Sequence, residues 1–133
     1  MKKYEFAGET KHINLSFRTI TLHRIRAVVE FGFVKIGDLG GWIEKEENLS
    51  HDGNAWVYGN AEVYGNAKVC GNAEVYGNAK VCGNAWVHGN SKVCGTAEVY
   101  GNAEVCGNAE VYGNAKICGN AWVHDNAEVC GNA

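Results

Sequence analysis

From Gly53 to Cys130 the chain repeats one pattern, G-N-A-x-V-x, thirteen times. The departures are Ser91 in an alanine slot, Thr96 in an asparagine slot, Ile117 for valine and Asp125 for glycine. Within each hexad, A-x-V-x alternates apolar and variable positions, the two-residue period of a strand. Ala and Val point to one side and the two variable residues to the other. Glycine supplies the positive φ that the third position of a type II turn demands. At Asp125 a side chain must tolerate that conformation, which Asp does better than most residues. Each hexad therefore predicts one short strand and one corner.

A strand this short cannot bury its apolar side alone, so the repeats must stack. Three strands and three corners close a triangular coil of about 18 residues, with parallel neighbours about 4.8 Å apart. Val and Ala fill a narrow core, and the asparagines stack into amide ladders. The G-N-A-x-V-x run resembles the hexapeptide-repeat family, the left-handed parallel β-helix. That resemblance implies an all-β fold of about four to five triangular coils. The left hand comes from the resemblance, since general crossover rules favour the other one.

Residues 1–52 do not repeat. KYEFAG (3–8), SFRTITLHRIRAVV (16–29) and EFGFVKI (30–36) read as antiparallel strands, and GDLGGWIEKEENLSHD (37–52) degenerates toward the hexad. Asn48 and Leu49 fall in its Asn and Ala slots. The expected division is a β-rich cap with a degenerate first coil over 1–52, then the hexapeptide-repeat β-helix over 53–133. The cap covers the open first coil, as terminal repeats require. The chain stops at GNA with no comparable cap. Docking on another copy, a cut and fraying all stay open there.

Sorting the variable positions at a period of 18 gives three outer faces. The first carries Glu62, Lys80, Glu98 and Lys116 with Tyr64, Cys82, Tyr100 and Cys118, and its alternating charges read as a structural ladder. The second carries Lys68, Trp86, Glu104 and Trp122 with Cys70, His88, Cys106 and His124. The third carries Trp56, Glu74, Lys92, Glu110 and Glu128 with Tyr58, Tyr76, Cys94, Tyr112 and Cys130. WVH at 86–88 returns at 122–124, which suggests a duplicated two-coil unit.

Six cysteines invite a disulfide reading. Same-face pairs, however, stand two coils apart, roughly 9–10 Å, beyond the reach of a disulfide at about 7 Å between Cα atoms. Free thiols are expected, as a reducing cytoplasm keeps them. The column Cys70, His88, Cys106, His124 invites zinc, with His88 and Cys106 close enough to share it. A straight column supplies a tetrahedron poorly, so no metal and no cofactor are expected. The bland alternative is that Cys and His fill a subunit interface. Trp86 and Trp122 are large for a solvated strand, and an aromatic stripe marks an interface or a ligand groove. The family resemblance implies side-by-side trimers.

Composition narrows the function classes. Gly is frequent and Pro absent, without the triplet period of collagen. Net charge is −3, so the bulk basic character of a nucleic-acid binder is missing. There is no long apolar run for a membrane span and no apolar leader after MKKYEFAGETKH, so a cytoplasmic protein is expected. Arg18, His23, Arg24 and Arg26 cluster in sequence, and an Arg cluster suits phosphate or carboxylate. The competing reading is a solvated strand, or a salt-bridge partner for the acidic segment 44–47.

A β-rich cap followed by DLGGWIEKEENLS and G-N-A-x-V-Y repeats looks like small proteins of phages and mobile elements. By that analogy the protein is a non-catalytic trimeric binding module that sequesters a small anionic, nucleotide-like signal. In a phage-encoded protein the compartment would be the host cytoplasm, and the role would be anti-defence. The candidate ligand-binding residues are Arg18, His23, Arg24, Arg26, Tyr64, Trp86, His88, Tyr100, Trp122 and His124: aromatic faces stack bases and cations hold phosphates. One alternative is a structural or polymer-forming shaft. Another is an acetyl-CoA-dependent acyltransferase, which the family resemblance also brings. Such enzymes typically interrupt the helix with a loop, and these thirteen hexads are uninterrupted. No carboxylate is expected beside His88 or His124 to set a tautomer, as a working base needs.

Overall fold

The computed structural model describes residues 2–16 and 18–132. Phe17, inside the expected strand 16–29, and the end positions Met1 and Ala133 of the expected division lie outside them. The chain opens with a hairpin of β1 (Tyr4–Leu15) and β2 (Arg18–Ala27), followed by β3 (Leu39–Ile43) and a 3-10 turn at Glu46–Asn48. Thirteen two-residue strands then follow at six-residue spacing. They are β4 (Trp56–Val57), β5 (Glu62–Val63), β6 (Lys68–Val69), β7 (Glu74–Val75), β8 (Lys80–Val81), β9 (Trp86–Val87), β10 (Lys92–Val93), β11 (Glu98–Val99), β12 (Glu104–Val105), β13 (Glu110–Val111), β14 (Lys116–Ile117), β15 (Trp122–Val123) and β16 (Glu128–Val129).

Each hexad thus makes one strand, and every third strand pairs in parallel. The three faces are β5-β8-β11-β14, β4-β7-β10-β13-β16 and β6-β9-β12-β15. Together they form an all-β solenoid of about five stacked coils, with the Val and Ala slots of successive hexads turned into one continuous core that ends at the last coil, where Ala121 and Ala127 are exposed. Gly89 shows why the corners need glycine. Its φ is +70°, and a Cβ there would stand 2.8 Å from the backbone nitrogen of Gly107 in the next coil. Asp125 adopts φ 57°. A Cβ on Gly107 would meet its backbone, 2.7 Å from the Asp125 nitrogen. Outside the core, side-chain amides climb the corners, as in Asn66 to Asn84 at 3.3 Å and Asn84 to Asn102 at 3.2 Å.

The backbone ladder has a direction: each coil's N–H groups donate to carbonyls of the coil that follows, as Glu62 N does to Ala79 O at 3.0 Å. Carbonyls of the first coil therefore need donors from the N-terminal segment. Trp42 N and Glu44 N donate to Ala61 O and Val63 O. The Lys3 ammonium donates to Ala55 O at 2.7 Å and Gly53 O at 3.2 Å, and the Tyr4 hydroxyl to Leu49 O at 2.6 Å. Lys3 is only 3% exposed, and burial lowers its pKa to about 8. The hairpin is joined edge-on: β3 pairs antiparallel with β2 and parallel with β5, so one seven-stranded sheet runs from hairpin to shaft.

Three expectations change here. EFGFVKI is not a strand. Phe31 and Val34 bridge across a tight turn with Gly32 at φ 53°, and the third N-terminal strand is LGGWI at 39–43. Leu49 takes a valine position rather than an alanine slot: it bridges Val69, twenty residues on, as Trp42 pairs with Glu62. Trp56 pairs with Glu74 at the regular eighteen, so two extra residues lie between Leu49 and Val57. Asn48 is buried, its amide donating to Ala67 O at 2.9 Å. Finally, Trp56 stands in an outward slot yet is 2% exposed, because the N-terminal segment folds over it. Phe31 packs on its edge at 5.2 Å and Tyr4 at 6.4 Å, while a Cβ on Gly40 would meet both Trp56 and Ile25 within 2.8 Å. Among the described residues no helix is long and apolar enough to cross a membrane.

Candidate functional site

The corner between the first and second outer faces carries two adjoining hollows. One, of about 390 Å³, lies where the hairpin turn overhangs the shaft, between Leu15, Ser16 and Arg18 on one side and Tyr64, Asn66, Cys82 and Asn84 on the other. The second, of about 400 Å³, is lined by Lys68, Cys70 and Trp86 and shares Asn66 and Asn84. The shaft supplies flat walls because its strands are in exact eighteen-residue register, and the hairpin supplies the overhang. Two cations, Arg18 and Lys68, thus flank a surface with an aromatic ring on each side. Burial holds the Tyr64 phenol well above its ordinary pKa and also raises the Cys82 thiol. Both are neutral hydrogen-bonding groups at neutral pH.

Arg18, Tyr64 and Trp86 are thus brought together by the fold. The other cap candidates are engaged elsewhere. Arg24 Nε donates to Gly40 O at 2.8 Å with its guanidinium over Trp42, Arg26 pairs with Glu5, and His23 stacks on Phe6 at 4.3 Å. These contacts secure the hairpin and its joint to β3. The acidic segment is answered by Lys2 and His51, both on Glu46, not by the arginines. The His51 hydrogen bond is the main cause of the lowered Glu46 pKa. Tyr100 lies one register step beyond Cys82 on the first face. The charge column there makes its ion pair with the hairpin, Lys11 Nζ to Glu62 Oε2 at 2.7 Å.

The second face holds a polar cluster beside the groove. Trp86 packs at a tilt on His88, with ring centroids 4.0 Å apart, and donates its indole N–H to Cys70 Sγ at 3.1 Å. His88 Nε2 lies 2.7 Å from Glu104 Oε2. Two coils on, Trp122 packs on His124 and donates to Cys106 Sγ, and His124 Nδ1 pairs with Asp125 at 3.2 Å. Both histidines therefore have a carboxylate, against the expectation that neither would. Same-slot comparison hides the Glu104 partner, which is sixteen residues on: one coil up and two residues back along the strand. A search at 16 as well as 18 finds it.

The six cysteines are free thiols in the structure, as their spacing requires. Repeat, register and core are those of a hexapeptide-repeat β-helix. No protein-family model matches the sequence. A stretch of 62 residues is 32% identical to a protein of Escherichia coli (strain K12) named uncharacterized acetyltransferase YdcK. The match takes in 44% of this chain and 19% of the relative, so the chain spans about a fifth of the length of the curated relative it matches.

Proposed function

We propose that the shaft is a binding module for a phosphorylated aromatic small molecule of nucleotide type, held across the Asn66–Asn84 corner. The observation that carries this is the pair of joined hollows with Arg18 and Lys68 flanking Tyr64 and Trp86. A base stacks on Trp86, phosphates meet the two cations, and the asparagine amides offer donors and acceptors between them. The ligand is sequestered rather than transformed. Trimer formation, a cytoplasmic setting and a phage-type anti-defence role accompany this reading. The partly exposed Trp86 and Trp122 on one face favour trimer formation; the cytoplasmic setting and anti-defence role rest on analogy alone, from a β-rich cap, DLGGWIEKEENLS and G-N-A-x-V-Y repeats. Calorimetry with adenine and guanine nucleotides, cyclic dinucleotides and coenzyme A tests it. Arg18→Ala and Trp86→Ala are each expected to weaken binding by about tenfold. No binding by the folded protein, or binding that both variants leave intact, overturns it.

Acyl transfer is the second reading, favoured by the His88–Glu104 pair and by the name of the relative. If His88 donates its Nε2–H to Glu104, Nδ1 is left to take a proton from an acyl acceptor. Coenzyme A carries an adenine nucleotide and suits the same groove. Chromatographic detection of free coenzyme A with an amine acceptor, abolished in His88→Ala, would establish it over sequestration.

A further inference from the structure

Independent of the groove reading, we propose that His88, Glu104 and Cys106 form a binding site for one borderline divalent metal ion, of the zinc or cobalt class. Their donor atoms lie within 4.8 Å of one another. The register explains why. Val87 pairs with Val105 across β9 and β12, so His88 and Cys106 occupy matching outward slots one coil apart, and Glu104 projects from the same strand as Cys106. A tetrahedral ion with bonds of about 2.0–2.3 Å needs its donors about 3.3–3.8 Å apart. His88 Nε2 and Glu104 Oε2, now 2.7 Å apart, would separate slightly by side-chain rotation to share an ion with Cys106.

The donor set is selective. Imidazole and thiolate favour zinc and cobalt, while magnesium and calcium prefer all-oxygen sites. The surroundings are prepared as well. Trp122 donates its indole N–H to Cys106 Sγ at 3.1 Å, the kind of outer hydrogen bond that steadies a thiolate ligand. Trp86 packs against the His88 ring at 4.0 Å between centroids. The sequence offers this constellation where the two duplicated units meet. One unit earlier, Lys68 stands where Glu104 does, and Cys70 has a lysine beside it rather than a carboxylate. One unit later, His124 turns to Asp125. The column of alternating Cys and His that the periodicity suggested is therefore replaced by three ligands on two coils. Three protein ligands leave a fourth position for water or a small ligand. A metal on His88 Nε2 also removes the Nε2–H bond to Glu104, so it competes with the general-base arrangement described above.

The test is an anaerobic Co²⁺ titration of the reduced protein, followed by visible and near-ultraviolet absorption. One saturable equivalent with tetrahedral ligand-field bands and a thiolate-to-cobalt charge-transfer band is expected, displaced by Zn²⁺. Cys106→Ser should remove the charge-transfer band. His88→Ala and Glu104→Gln should each weaken binding by at least about tenfold, and Cys130→Ser, on another face, should change nothing. In the unaltered protein, Zn²⁺ should protect Cys106 from alkylation, read by peptide mass spectrometry, while Cys118 and Cys130 stay reactive. Non-saturating uptake, a charge-transfer band that survives Cys106→Ser, or protection at another cysteine would each overturn the proposal. None of these readouts depends on nucleotide binding, so this site and the groove stand or fall separately.

Discussion

The shaft and the hairpin stabilise strands in opposite ways. In the shaft, two-residue strands survive because each is one rung of a stack, paired with residues eighteen positions away. In the hairpin, strands of twelve and ten residues pair antiparallel with local partners and a bulge between Phe6 and Thr10. The shaft spreads its stability over many equivalent positions. The joint between the two regions concentrates it in a few unlike ones: Lys3, Tyr4, Phe31, Gly40 and Trp56. The same hexad slot shows the contrast. Trp56 is 2% exposed, Trp86 45% and Trp122 62%, although all three begin the sequence W-V. What differs is whether another part of the chain lies on top.

The largest expected effect comes from breaking the joint. Trp56→Ala should cost about 3–5 kcal/mol, whereas Trp86→Ala and Trp122→Ala should stay within about 0.5 kcal/mol. Guanidinium unfolding followed by circular dichroism measures all three, and equal losses would erase the contrast. Next is a shaft corner. Gly89→Ala forces a Cβ at φ +70° against Gly107 and should cost at least about 2 kcal/mol. Retention of full stability would mean that the coils can move apart freely.

A pH series sharpens the comparison further. The Lys3 pKa is lowered from 10.5 to about 8 by burial. Between these values the unfolded chain holds a proton that the folded one has released, so the Lys3 contribution to stability rises with pH across that window. Cys82 above its ordinary 9 and Tyr4, Tyr58 and Tyr64 above their ordinary 10 act with the opposite sign, since burial favours their protonated forms. Stability should therefore climb from pH 8 toward 9 and fall beyond 10. Lys3→Met should remove the climb and leave the fall, measured as the denaturation midpoint at each pH. The smallest effect belongs to the exposed amide ladder. Asn84→Ala loses two amide hydrogen bonds and should cost about 0.5–1 kcal/mol in the same unfolding assay.

The shaft was legible because a period of six fixes strand, corner and core together, and three hexads return each slot to the same face. The joint was not. Phe31 and Phe33 alternate as a strand would, but Gly32 at positive φ turns the segment back on itself, with Phe31 bridging Val34. The twenty-residue first coil hides inside a segment whose Asn48 and Leu49 imitate the hexad. At the candidate groove, periodicity found Tyr64 and Trp86 as outward aromatics, but not that the hairpin turn would bring Arg18 across to them. It also found His88, yet not its carboxylate, because Glu104 is a diagonal neighbour sixteen residues on, off the period of eighteen.

The sequence by itself determined the coil: which residues enter the core, which turn the corner and which three faces result. It could do so because every hexad solves the same local problem, and stacking multiplies one solution. Only the tertiary structure decided which outward positions remain outward. Trp56 is sealed beneath the hairpin, and Arg18 is carried over the groove. His88 is set against Glu104 and Cys106. Those outcomes depend on where a non-repeating segment docks and on side-chain reach between coils, and neither is written in the period.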